Sequence, residues 1–101
     1  MDGLVSGFDW DDGNLEHCRK RGFSLSEIED LFANPVVVLP DTGHSEVEIR
    51  HRAVGKTKHG RAVFVVFTIR EWGGRRYIRP ISARYMHKAE IESYEKEIPD
   101  L

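Results

Sequence analysis

Arginine side chains, accompanied by tyrosine, crowd the predicted sheet of residues 50–88, and this combination suits the cleavage of RNA by its own 2′-hydroxyl group. That reaction requires a protein to align the phosphodiester, stabilise charge on the pentacovalent phosphate, and move protons at the attacking and leaving oxygens. It needs neither a metal ion nor a covalent enzyme intermediate. Arginine suits the first two tasks, because its guanidinium donates paired hydrogen bonds to phosphate and stays ionised.

The predicted phosphate-binding cluster is made of the arginines Arg50, Arg52, Arg79 and Arg84. The side chains with suitable groups for proton transfer are His17, His51, Glu48 and Tyr85. Only histidine titrates near neutral pH without help from its surroundings. Neighbouring arginines favour the ionised form of Glu48, so a cross-strand ion pair is as good an interpretation of that residue as catalysis. Trp72 and Tyr85 have rings that can stack on unpaired bases, or simply cover the core.

The order of the charges supports a polyanionic partner, although the whole chain carries a formal charge of only −2. Residues 1–49 carry −8 and residues 89–101 carry −4. Between them, residues 50–88 carry +10, with eleven basic side chains against Glu71 alone. This asymmetry predicts a polyanion-binding region bracketed by acidic segments. The alternative is a solvated basic face that the acidic segments neutralise by folding back on it.

Signals for other chemistries are weak. His44, with Asp41 and Glu46, has ligand-type neighbours but no recognised metal-site spacing, so we predict no metal and no cofactor. The glycines do not form a phosphate-binding loop motif. The lone Cys18 lies in an amphipathic pattern, which predicts a small packed side chain rather than a nucleophile.

Helix signals occur at three places along the chain. The first helix is predicted through Leu15 to Arg21, with Asp11 or Asp12 as its cap. The string Ser24-Leu25-Ser26-Glu27 has the spacing of a capping box and opens a second helix. An apolar residue every three or four positions predicts a C-terminal helix from about Met86 to Lys96.

Strand signals fill the remainder and predict a meander. The predicted strands are Val5 to Trp10, Val36 to Leu39, Glu46 to Ala53, Ala62 to Ile69 and Tyr77 to Ala83. The third alternates apolar with charged residues, which predicts one packed face, including Ile49, and one charged face. The fourth is continuously apolar and is the predicted central strand. Pro80 indicates an edge position or a bulge in the last strand.

Together these elements predict one α+β domain over residues 1–101. Its antiparallel sheet is expected to follow two N-terminal helices and precede a C-terminal helix, with the helices on one side. The apolar runs are too short to span a bilayer, and a single cysteine cannot form an internal disulfide. We therefore expect a cytoplasmic protein with no membrane partner.

Several strings, in their order along the chain, resemble the BrnT family of bacterial toxins. They are Phe8-Asp9-Trp10-Asp11, Lys20-Arg21-Gly22, His44-Ser45-Glu46, Val65-Val66-Phe67-Thr68, and Ile81-Ser82-Ala83-Arg84 followed by Glu90 and Tyr94-Glu95. The likeness covers nearly the whole chain, and the string from Ile81 to Arg84 is its most specific part. One position departs from the family. Arg21 stands where such proteins commonly have histidine, and His17 lies one helical turn earlier.

The resemblance implies a RelE/ParE-like fold and a RelE-like ribonuclease of a type II toxin–antitoxin system, which arrests translation. It also implies a BrnA-like antitoxin with a ribbon-helix-helix region, whose complex with the toxin binds operator DNA. The matched C-terminal motif contributes Arg79, Ser82, Arg84, Tyr85 and Glu90 as candidate site residues. With the resemblance included, the predicted catalytic residues are Arg52, Arg79, Arg84, Glu48, His17 and Tyr85. The predicted RNA-binding residues are Lys20, Arg21, Arg50, Arg61, Arg75, Arg76 and Ser82.

Two other functions are compatible with the sequence. A toxin of this kind can act without catalysis by binding a protein target, as related ParE-type folds do. The chain can also be an inactive relative that only binds an antitoxin.

Overall fold

The computed structural model describes residues 5–33, 37–40 and 49–97, which form one five-stranded sheet and three helices. The strands are β1 (Val5–Phe8), β2 (Val37–Pro40), β3 (His51–Lys56), β4 (Ala62–Trp72) and β5 (Arg75–Tyr85). The helices are α1 (Asp12–Lys20), α2 (Leu25–Ala33) and α3 (Lys88–Glu97). The α+β class and the three predicted helices are confirmed.

The sheet is mixed, with the strand order β1-β5-β4-β3-β2. Strand β1 pairs in parallel with β5, whereas the other neighbouring pairs are antiparallel. The prediction of a wholly antiparallel sheet is therefore wrong at β1. Only residues 9–11 separate β1 from α1, so the chain cannot return from β1 as a hairpin. Strand β1 instead pairs with the open edge of the last strand.

Strand β4 is the middle strand, as predicted, and both of its faces are covered. Val63 and Val65 pack with α1 and α2 on one side, which we call the helix-pair face. Ala62 and Phe64 pack with Tyr94 of α3 on the other side, which we call the α3 face. The prediction that the helices share one side is wrong for α3. Because β4 is apolar at successive positions, each face needs its own cover.

The predicted helix starts are confirmed by their hydrogen bonds. The Asp11 side chain accepts from the Asn14 N–H at 3.0 Å, and the Asn14 side chain accepts from the Asp11 N–H at 2.7 Å. At the next helix the Ser24 hydroxyl accepts from the Glu27 N–H at 3.2 Å. These caps satisfy backbone donors that have no partner inside the helix, and so define where each helix begins.

The strand predicted from Glu46 begins at His51, and residues 41–48 lie outside the described residues. Ile49 was predicted on the packed face, but it is 70% exposed, because pairing of β3 with both neighbours begins only at His51. From His51 onward the alternation holds. The His51 ring lies 5.3 Å from that of Phe67 on the helix-pair face, and Arg52 points to the α3 face.

A bulge in β5 gives α1 its anchor. Val66 pairs with Ser82 and Phe67 pairs with Pro80, so Ile81 is the extra residue, and the bulge alternative for Pro80 is confirmed. Asn14 of α1 is buried, and its amide donates to the Pro80 carbonyl at 2.8 Å. Since β1 pairs with β5 only as far as Ile78, this amide satisfies the next carbonyl on that edge.

We predict that Asn14→Ala lowers the free energy of unfolding by about 2–3 kcal/mol, because it removes the side-chain acceptor of the Asp11 N–H and leaves the buried Pro80 carbonyl without its donor. Urea denaturation followed by circular dichroism measures this loss. The matched control is Ser24→Ala, which removes an exposed cap and is expected to cost about 1 kcal/mol. Equal losses for the two variants would contradict the anchoring role of Asn14.

Candidate active site

A cleft of about 320 Å³ opens on the α3 face of the sheet. Its polar and charged lining consists of Arg21, Arg50, Arg52, Arg84, His17 and Ser82. We call it the arginine cleft. Among the described residues, the charged side chains that line it are arginines, which favours the binding of an anion.

Strand register brings the floor of the arginine cleft together. Arg52 of β3 pairs with Val66 of β4, and Val66 pairs with Ser82 of β5. Phe64, two residues earlier in β4, pairs with Arg84. Because side chains alternate across a strand, these residues point to one face of three adjacent strands. The sheet therefore fixes the spacing of the two arginines on a rigid support.

The ring of Phe64 lies beneath both of these guanidinium groups. The central carbon of the Arg52 guanidinium lies 5.0 Å from the ring centroid, and that of Arg84 lies 4.4 Å from it. A cation over an aromatic face is held by the ring quadrupole, and this contact uses none of its N–H groups. Phe64 thus orients two phosphate-binding groups without competing for their hydrogen bonds.

Helix α3 also contacts the same two arginines, through the side chains of Glu90 and Tyr94. Arg84 donates two hydrogen bonds of 2.7 Å to the two carboxylate oxygens of Glu90. Arg52 donates to the Tyr94 hydroxyl at 3.1 Å. A paired guanidinium–carboxylate contact fixes the plane of the arginine as well as its position. The C-terminal helix is therefore part of the support of the cleft.

The Arg84–Glu90 contact changes how both groups bind protons. Hydrogen bonds from Arg84 lower the pKa of Glu90 from its ordinary value of 4.5 to about 2, with a smaller contribution from the backbone N–H of His87. The same contact raises the pKa of Arg84. Because the pKa of Glu90 is lower in the folded protein, its carboxylate stabilises the fold above about pH 4.5, and this stabilisation is lost as the pH falls towards 2.

We predict that Glu90→Gln lowers the stability of the fold at pH 7 and that the deficit relative to the wild type shrinks between pH 4.5 and 2. Urea midpoints measured at pH 7, 4 and 2.5 test this. The matched control is Glu92→Gln, an exposed change on the same helix. A deficit for Glu90→Gln that stays constant across this range would contradict the role of the Arg84 contact.

The end of helix α1 lines the arginine cleft from beside the edge of β5. His17 and Arg21 are four residues apart, so they lie on one side of the helix end, and both line the cleft. Both side chains are exposed. The anchor between Asn14 and the Pro80 carbonyl fixes the distance of this helix from β5. A histidine is thereby placed beside the arginines in a position open to a ligand.

Arg79, a predicted catalytic residue, lies outside the arginine cleft. Its guanidinium donates to the Asp11 carboxylate at 2.8 Å and to that of Asp9 at 3.4 Å. The hydrogen bond from the Asn14 backbone, followed by that from Arg79, lowers the pKa of Asp11. These contacts tie β5 to the segment between β1 and α1, so the geometry favours a structural role for Arg79.

Tyr85 and Arg61 are brought together, but not in the arginine cleft. Tyr85 packs with the core of the helix-pair face, where its ring centroid lies 4.6 Å from that of Phe23. The Arg61 guanidinium covers the ring at 3.6 Å from its centroid. This stacking holds the end of β5 beside the β3–β4 turn.

The other predicted site residues that the structure describes lie outside the arginine cleft. Lys20 is exposed in the last turn of α1. Arg75 and Arg76 lie at the β4–β5 hairpin, where Arg76 faces Glu71 at 3.5 Å. Glu48 lies outside the described residues. Of the twelve predicted site residues that the structure describes, six line the arginine cleft.

Phe64 and Tyr94 were not predicted as site residues. Phe64 lies in the continuously apolar β4, where residue type does not distinguish a side chain in the cleft floor from one in the core. Only the face of the strand to which the side chain points makes that distinction. Tyr94 was part of the apolar stripe of the last helix, and its hydroxyl contact with Arg52 depends on packing across 42 residues of sequence. The alternation of β4 around Val66 is the signal that could have found Phe64.

Cys18 is fully buried in the core, and burial raises the pKa of its thiol. This confirms its interpretation as a packed side chain rather than a reactive one. Across residues 5–33, 37–40 and 49–97, no group of three or more histidine, cysteine, aspartate and glutamate side chains lies together as a metal site would require. In the same part of the chain, no helix is long and apolar enough to cross a membrane.

Comparison with known proteins identifies the family of the chain. Residues 10–90 match the family model described as ribonuclease toxin, BrnT, of type II toxin-antitoxin system. A comparison with curated proteins finds no match. The matched segment contains the four arginines of the cleft, His17 and Glu90. The chain belongs to the BrnT family of ribonuclease toxins of type II toxin–antitoxin systems.

Proposed function

We propose that the chain is a RelE-like endoribonuclease that cleaves RNA in the arginine cleft and thereby inhibits translation. The 2′-hydroxyl oxygen attacks the adjacent phosphorus, the bond from phosphorus to the 5′-oxygen breaks, and a 2′,3′-cyclic phosphate forms. The observation that carries the proposal is the convergence of four arginines and a histidine on one cleft without a lining carboxylate among the described residues. Family membership supports the same reaction class.

The roles of the cleft residues follow from how firmly each is held. Arg52 and Arg84 are fixed by Phe64 and by α3, so we assign to them the non-bridging oxygens of the reacting phosphate. Preorganised donors of this kind stabilise charge that develops in the transition state. Arg21 and Arg50 then bind the neighbouring phosphates of the strand, and the hydroxyl of Ser82 is a further donor.

His17 is our first candidate for proton transfer. Its imidazole lines the cleft, is exposed, and belongs to the residue type that exchanges protons near neutral pH. It accepts the proton of the 2′-hydroxyl or donates one to the leaving 5′-oxygen. Glu48 is the second candidate, since it lies two residues before Arg50 in the chain. Tyr85 has no part in this proposal, because its ring is packed on the helix-pair face.

The proposal is tested by incubating the purified protein with single-stranded RNA in excess chelator and analysing the ends of the fragments. We expect fragments with 2′,3′-cyclic phosphate ends at an unchanged rate, because arginine replaces the charge stabilisation that a metal would provide. Loss of cleavage in chelator would contradict the metal-independent reaction. Growth arrest with intact RNA would favour the ParE-like alternative, a toxin that binds a protein target.

A type II toxin has an antitoxin partner, and we propose that this one is a BrnA-like protein with a ribbon-helix-helix region, whose complex with the toxin binds operator DNA. An acidic segment of the antitoxin would compete with RNA for the arginine cleft. The affinity of the complex is then expected to fall as salt is added. An affinity independent of salt would contradict electrostatic competition.

A further inference from the structure

The tip of the β4–β5 hairpin carries an exposed pair of stacked aromatic rings. The ring centroids of Trp72 and Tyr77 lie 4.2 Å apart, with an angle of 12° between the ring planes. Trp72 is nevertheless 50% exposed. Cross-strand stacking accounts for the contact between the two rings, and it leaves about half of the Trp72 surface open to a ligand.

This aromatic pair lies on the same face of the sheet as the arginine cleft. In β4, Trp72 follows Val66 by six residues, so the two side chains point to one face. Tyr77 pairs with Arg70, and Arg75 pairs with Trp72, which places these four residues together on that face. At about 3.4 Å per residue, the hairpin tip lies about 20 Å from the cleft floor along β4.

Within the described ranges, the charged side chains beside the aromatic pair on this face are basic. Arg75 is exposed beside Trp72, and Arg70 is exposed beside Tyr77. The acidic Glu71 alternates to the opposite face, where it pairs with Arg76. An open ring with neighbouring guanidinium groups matches single-stranded RNA, since bases stack on the ring while arginines contact the phosphates.

We propose that Trp72, Tyr77 and Arg75 form a second RNA-binding subsite, which holds the substrate strand where it runs out of the arginine cleft. The inference rests on the proposed ribonuclease function and adds that the substrate is single-stranded over a length sufficient to reach the hairpin tip. The subsite contributes affinity for long substrates and has no part in the chemical step. A strand too short to reach it binds through the cleft alone.

The test compares the affinity of fluorescently labelled, fully 2′-O-methylated RNA pools of random sequence, which cannot be cleaved by 2′-hydroxyl attack. One pool has four nucleotides and the other has twelve, within the range of about 4–16 nucleotides that single-strand binding surfaces cover. Fluorescence anisotropy gives the dissociation constants. For the wild type we expect the longer pool to bind more tightly than the shorter one.

The length advantage is the dissociation constant of the four-nucleotide pool divided by that of the twelve-nucleotide pool. We expect Trp72→Ala to reduce this ratio by about tenfold, the loss typical of one stacked base. Trp72→Phe should restore most of it, because a phenyl ring keeps the stacking surface. Arg75→Ala should reduce the advantage, and the matched control Lys58→Ala, an exposed charge in the turn at the other end of β4, should reduce it much less.

An unchanged length advantage in Trp72→Ala would overturn the subsite, and so would a loss confined to antitoxin binding. The proposed function fails in a different way. If Arg52→Ala binds both pools as tightly as the wild type does, the arginine cleft is not the RNA site. The two outcomes are distinguished within one set of measurements.

Discussion

Arg52→Ala is expected to slow RNA cleavage by about 100-fold, the loss typical of removing one preorganised donor to a reacting group. Arg52 lies in the arginine cleft over the ring of Phe64 and donates to the Tyr94 hydroxyl. Arg52→Lys should recover little, because an ammonium group keeps the charge but not the fork of donors. Single-turnover cleavage at saturating protein measures the rate of the chemical step.

Two controls separate this effect from unfolding. Thermal unfolding should show that Arg52→Ala remains folded at the assay temperature. Arg79→Ala removes an arginine whose partners are Asp9 and Asp11, outside the cleft. It should therefore lower the unfolding temperature, while lowering the rate less than Arg52→Ala does. A larger loss of rate in Arg79→Ala than in Arg52→Ala would contradict the assignment of the cleft.

His17→Ala is expected to slow the chemical step by between about 100-fold and 10,000-fold, the range for loss of a general acid or base. Because His17 is exposed where it lines the cleft, its replacement removes little core packing, so a large loss of rate does not come from unfolding. Single-turnover cleavage at saturating protein measures this loss.

His17→Gln is the informative companion variant, because it keeps a polar side chain of similar length but cannot exchange protons near neutral pH. It should be nearly as slow as His17→Ala. Wild-type rates in both variants would exclude His17 from proton transfer and would make Glu48 the remaining candidate. A loss of affinity for RNA with an unchanged rate at saturating protein would indicate a role in binding only.

The sequence predicts those parts of the fold that depend on local patterns. The caps at Asp11 and Ser24 are short-range signals that depend on residues three apart, and both are found in the structure. The parallel pairing of β1 and the position of α3 were missed. Both depend on contacts between residues far apart in the chain. The alternation of side chains along a strand does not predict which strand becomes the neighbour of β1.

The sequence predicts the site only in part, because the site also depends on contacts between residues far apart in the chain. Arg52 and Arg84 lie 32 positions apart in sequence but are brought together because both flank β4 on one face. Charge order was enough to indicate the basic sheet. It did not separate Arg84, held by Glu90 in the cleft, from Arg79, which is held by two aspartates. That distinction depends on which carboxylates the helices bring to the sheet.

The structure of the complex with RNA tests the central claim most directly. The RNA would carry a single 2′-deoxy nucleotide at a mapped cleavage position, which removes the attacking hydroxyl and leaves the scissile phosphate intact. We predict that this phosphate lies in the arginine cleft, with a guanidinium nitrogen of Arg52 within about 3 Å of a non-bridging oxygen. A scissile phosphate bound elsewhere, with the cleft empty, would contradict the account.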